Sequence, residues 1–75
     1  MNRERRKKIK NISLLLEEIQ NKTESIKDDE EYAFDNMPEG IQSSMRGDES
    51  QEAIELLDVA LEKIEEAIAL LQEVS

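Results

Sequence analysis

A chain of 75 residues with no cysteine, no histidine and a formal net charge of −9 excludes several functions before any pattern is sought. Disulfides and thiolate metal sites are ruled out, and the commonest general base and metal ligand is missing. The length supports one domain at most, and a domain this small leaves much of its surface exposed unless it associates.

No apolar run reaches 18 residues, so neither a membrane span nor a signal peptide is predicted, and a cytoplasmic location is expected. Charge is strongly segregated. The first ten residues, MNRERRKKIK, carry six basic groups and one acidic group, a net of +5, whereas residues 11 to 75 carry 4 basic and 18 acidic groups, a net of −14. Such separation repels some partners and steers others.

The first predicted element covers about residues 3–31. Ile9, Ile12, Leu16, Ile19, Thr23 and Ile26 recur at alternating steps of three and four, the heptad spacing of one helix face. Asn2 is positioned to cap its start, although the following Arg and Lys oppose the helix dipole. Asp28, Asp29, Glu30 and Glu31 place negative charge where the dipole disfavours it, and Pro38 keeps Met37 out of helical geometry. The helix is therefore expected to end between Asp29 and Phe34.

Residues 32–48 read as a connector. The stretch 31–50, EYAFDNMPEGIQSSMRGDES, holds the only Tyr, the only Phe, the only Pro, both Gly and two of the three Met. Pro38 and Gly40 turn the chain. Tyr32, Phe34, Met37, Ile41 and Met45 supply apolar bulk without a heptad. They suit a plug over Ile26 and Ile54, or an exposed partner-binding patch of Tyr32, Phe34, Met37 and Arg46, the residue types enriched at interface centres.

The second long element covers about residues 49–74, and its start falls between Ser43 and Ser50. Asp48 or Ser50 would cap it, whereas an earlier start would put Gly47 inside a helix. Ile54, Leu57, Leu61, Ile64, Ile68 and Leu71 repeat the heptad steps, and Ala53, Ala60, Ala67 and Val74 follow every seven residues beside them. Leu56, Val59 and Leu70, like Leu14 and Leu15 in the first helix, lie off the stripe. Faces this wide need more than one neighbour. The expected fold is all-α: a two-helix antiparallel hairpin, pairing as a homodimeric four-helix bundle. Its core and dimer residues are Ile12, Leu16, Ile19, Ile54, Leu57, Leu61, Ile64, Ile68 and Leu71.

Catalysis fails on inventory, since Ser, Thr, Tyr and Lys are present with no His or Cys to activate them. Adjacent carboxylates such as Glu65 and Glu66 point about 100° apart on a helix. FDNMPEG lacks the alternating oxygen ligands and closing Glu of a calcium loop. No enzyme, cofactor or metal is expected. Two surfaces remain. Glu55, Asp58, Glu62, Glu65 and Glu66 lie opposite the Ile/Leu stripe, either as an ordinary solvated face or as a charge mimic of a nucleic-acid strand. Arg3, Arg5, Arg6, Lys7, Lys8 and Lys10 either neutralise the acidic end of the second helix or contact phosphates.

The stretch from Tyr32, with its DNMPE turn at Asp35 to Glu39 followed by EAIELLDVALEKIEEAI, resembles small acidic helical proteins of phages and mobile elements of Gram-positive bacteria. With RRKKIKNI at the start, the resemblance spans nearly the whole chain. It transfers no site. It implies a bacterial host cytoplasm and a role in binding and inhibiting a host defence or nucleic-acid-processing protein. The competing expectation is a structural or regulatory helical module that binds RNA through the basic N-terminus.

Overall fold

A computed structural model describes residues 1–74. The described residues form an all-helical hairpin of three elements: α1 (Arg3–Asp35), α2 (Glu39–Gln42) and α3 (Met45–Val74). The two long helices pack together along a rod measuring 58 × 14 × 12 Å. Its radius of gyration of 17.1 Å compares with about 11 Å for a globular chain of this length.

Local chemistry accounts for the ends. Asn2 adopts extended backbone and its Oδ1 accepts from the Arg5 N–H at 2.9 Å, closing the first turn of α1. α1 continues to Asp35, one residue past the expected window of Asp29 to Phe34, and Asn36 ends it by donating backbone and side-chain N–H groups to the Tyr32 carbonyl. Pro38 then opens the single turn of α2, where its missing N–H costs nothing. Gln42 Nε2 donates back to the Phe34 carbonyl at 2.9 Å, adding a second bond to an acceptor that already takes the Met37 N–H.

α3 begins at Met45, so Asp48 and Ser50 do not cap it: Asp48 lies in its first turn, and its N–H reaches the Ser44 carbonyl. Gly47 sits inside the helix and is buried. A Cβ there would overlap the Gln42 carbonyl and lie 2.7 Å from the Gln42 Cα. Absence of a side chain is what lets α2 fold onto α3.

The α1 stripe is divided by the packing. Ile9, Leu16 and Thr23 are half-buried, but Ile12 and Ile19 are 48% and 49% exposed and Ile26 is more so. Ile12 and Ile19 are therefore not core residues of the hairpin. Facing α3 instead is a second heptad of mainly polar residues: Ser13, Gln20, Thr23, Lys27 and Glu30. α3 supplies partners for Gln20, Lys27 and Glu30. Lys27 Nζ lies 2.5 Å from Asp58 and 3.4 Å from Glu31, Gln20 donates to Glu65, and Ser50 Oγ donates to Glu30 at 2.7 Å. Polar pairs at heptad positions fix register at some cost in stability.

On α3, Ile54, Leu57, Leu61, Ile64 and Leu71 are half-buried, and Ile68, at 6% exposed, is the one buried hydrophobic residue among those described.

Two predictions arise from this seam. Ser13 is buried and its hydroxyl has no hydrogen-bond partner, a state that costs about 1–3 kcal/mol. Ser13→Ala keeps the close approach and is expected to raise stability by about 1 kcal/mol in urea denaturation; a loss would assign the hydroxyl a bond. The second concerns Lys27, whose side chain is 20% exposed. The Asp58 hydrogen bond, and after it the Glu31 bond, hold its pKa above the usual 10.5 against the opposing effect of burial. A raised lysine pKa stabilises the fold fully below the unfolded value, and the contribution is lost as pH climbs through the folded one. The stability gap between the native chain and Lys27→Met should be flat from neutral pH to about pH 10 and narrow above it.

Candidate functional site

Five carboxylates proposed as a binding row, Glu55, Asp58, Glu62, Glu65 and Glu66, are all exposed on α3. They are not equivalent. Asp58 and Glu65 stand at the α1 side of the row, held by Lys27 and Gln20, and so tie the hairpin together. Glu66 lies 3.6 Å from Lys63 on its own helix. Glu55, Glu62 and Glu66 present the outward edge. From Glu55 to Glu66 the helix rises roughly 16 Å, one carboxylate per ~4 Å of axis when all five are counted and one per ~8 Å for the three outward ones. One strand of DNA carries one charge per ~3.4 Å.

The connector residues separate into two groups. Phe34, Met37 and Ile41 are half-buried, while Tyr32, Met45 and Arg46 are exposed. Phe34 shares a shallow recess with Gln51, Ile54 and Glu55, and Met37 shares another with Glu30, Arg46 and Ser50. Phe34, in the last turn of α1, thus lies beside Ile54. Ile26 is left 60% exposed, so a plug over Ile26 does not form. Tyr32 and Phe34, two residues apart on α1, point to different sides, and the four residues of the suggested patch do not make one surface.

At the open end, Arg3, Arg6, Lys7 and Lys10 line a cleft of about 440 Å³ together with Ser13 and Gln72. Arg5 and Lys8 lie on another side of α1, with Lys8 3.9 Å from Glu4. The register set by Gln20–Glu65 and Lys27–Asp58 puts Asn11 opposite Val74, so residues 3 to 10 project past the described end of α3. The basic segment meets the end of α3 at the cleft beside Gln72 and extends beyond it.

Among the described residues no group of three or more Asp or Glu is placed to hold a metal ion, and no helix is long and apolar enough to cross a membrane. No protein-family model, curated protein or solved structure matches the chain. Its function must be argued from its own surfaces.

One surface escaped the sequence reading. Ile12, Leu15, Ile19 and Ile26 of α1 and Leu56, Val59, Leu70 and Val74 of α3 are all exposed. Each α1 member immediately precedes a residue that faces α3: Ser13, Leu16, Gln20 and Lys27. On α3, Leu56 and Leu70 precede Leu57 and Leu71 in the same way, and Ala60 and Ala67 precede Leu61 and Ile68. One residue is 100° of rotation. Because the helices are antiparallel and face each other, the same backward step turns both stripes to the same side of the hairpin. The signal was present as the off-stripe residues Leu15, Leu56, Val59 and Leu70, but their common side depends on which seam closes the hairpin.

Proposed function

We propose that this chain acts without catalysis, as a stoichiometric inhibitor built on a homodimeric four-helix bundle. Its outer carboxylates occupy a basic groove on a nucleic-acid-processing or defence protein of a bacterial host. The observation that carries this reading is the exposed row Glu55, Glu62 and Glu66 on a continuous helix, with Asp58 and Glu65 behind it bringing the set of five to one carboxylate per ~4 Å of axis. Rigidity matters here, because a row already ordered loses little entropy on docking.

Dimerisation is supported by surface area. The hairpin exposes 5871 Å², whereas a globular monomer of this mass exposes about 4700 Å². The excess, roughly 1,100 Å² per chain, exceeds the ~800 Å² that each partner contributes to a standard interface.

The test uses proteins of a bacterial lysate bound to immobilised DNA. The native chain is expected to release a subset of them. The triple variant Glu55→Gln, Glu62→Gln, Glu66→Gln leaves the Lys27–Asp58 and Gln20–Glu65 ties in place and should release them roughly tenfold less effectively. Equal release by both chains, or none by either, refutes charge mimicry.

A second reading is favoured by the basic cleft. Arg3, Arg6, Lys7 and Lys10 converge on one opening and suit phosphate contacts of a nucleic acid, in a structural or regulatory role. It requires a gel shift with RNA or DNA that weakens steeply with salt. Deleting residues 1 to 10 separates the two, since an inhibitor using its acidic row keeps its activity.

A further inference from the structure

The open apolar side of the hairpin has ends of opposite charge. Beyond Ile12 it continues to Lys8 and Arg5, in a decapeptide of net +5. Beyond Ile26 and Leu56 it continues to Asp29 and Glu49, in the turn end of the rod. Residues 28 to 52 there carry nine carboxylates against the single basic residue Arg46, a net of −8. Apolar contact alone is indifferent to direction, because Ile, Leu and Val recur along the whole length of both stripes. Charge is not indifferent.

We infer that a second copy of this chain covers the open face in the reversed direction, with the basic end of each hairpin over the acidic turn end of the other. The inference rests on the dimeric bundle proposed above and adds its orientation. A two-fold axis across the rods places α1 on α1 of the second copy and α3 on α3, each pair antiparallel. The apolar stripe of α1 runs from Ile12 to Ile26 and is centred at Ile19. That of α3 runs from Leu56 to Val74 and is centred at Glu65, at the same level as Gln20. With the axis there, Leu56 meets Val74 of the second copy and Ala60 meets its Leu70, small against large. Lys8 lies near Glu30 of the second copy, among the carboxylates of residues 28 to 31. Lys63 falls within the α3 stripe, where its long stem lies over apolar neighbours and its ammonium reaches the edge. The same-direction dimer would place two +5 segments together at one end and two −8 segments together at the other, which like-charge repulsion opposes.

The chain has no cysteine, so a spin label on Lys8→Cys is unique to each copy. Lys8 is eleven residues from Ile19, and the reversed dimer therefore separates the two labels by roughly 33 Å along the axis. A same-direction dimer brings them to about 15–20 Å, the diagonal of a bundle plus the labels. A second measurement needs no label: raising salt from about 20 to 500 mM weakens the reversed dimer and tightens the same-direction one. A long distance with salt-weakened association supports the inference. A short distance, or association that tightens with salt, overturns the orientation while leaving the dimer. A monomer by mass at every concentration removes both.

Discussion

Gly47→Ala is expected to destabilise the hairpin by about 2–3 kcal/mol, although the same change in an unconstrained helix gains about 1 kcal/mol. The reversal comes from one contact. The new methyl would occupy the position of the Gln42 carbonyl, which is backbone and cannot swing aside like a side-chain tip. Moving it shifts α2, whose Gln42 side chain holds the Phe34 carbonyl and whose Ile41 packs in the corner. Gly40→Ala is the matched control. A Cβ at Gly40 meets nothing within 4 Å, and no glycine here has positive φ, so that variant should gain about 0.4–1 kcal/mol. Urea denaturation of the two variants side by side tests the corner. If Gly47→Ala proves as stable as Gly40→Ala, the close approach of α2 to α3 does not exist in solution.

The second large effect compares two α3 residues in their response to truncation. Ile68 is 6% exposed and Leu70 is 63% exposed. Ile68→Ala removes the one buried hydrophobic side chain of the described hairpin and is expected to cost about 2–5 kcal/mol. In an isolated hairpin Leu70→Ala would change stability by no more than about 0.5 kcal/mol. Under the second copy Leu70 becomes core, and its truncation should cost about 2 kcal/mol per chain. The loss would show as weaker dimerisation and as a melting temperature that falls more steeply on dilution. Thermal melts of both variants across a hundredfold concentration range decide between these cases. A near-neutral, concentration-independent Leu70→Ala would mean that the open face stays open.

Several features were legible in the residues because they depend on local chemistry. The α3 stripe from Ile54 to Leu71 and the Asn2 cap need only helical periodicity and one side-chain oxygen. The turn at Pro38 needs only a fixed φ and an absent N–H. Exposure of Glu55, Glu62 and Glu66 follows from their position away from that stripe, whereas Asp58 and Glu65 stand at the α1 side.

Other features were not legible, each for a physical reason. α1 carries two heptads one residue apart, Ile12/Ile19/Ile26 and Ser13/Gln20/Lys27, and apolar content alone selects the first. The hairpin closes on the second, because Glu65, Asp58 and Ser50 of α3 lie where they can pair with Gln20, Lys27 and Glu30. A buried polar group with a partner is tolerated, and the apolar stripe is left free. Gly47 could not be read as a packing residue, since the atom it avoids belongs to the backbone of Gln42.

By itself, then, the sequence determined the elements: two amphipathic rods, a proline turn between them and charge gathered at opposite ends, all consequences of contacts within a few residues. Only the tertiary structure decided which side of α1 meets α3. That choice depends on pairs 20 to 45 residues apart, and it rotates the greasy side of both helices onto one open face.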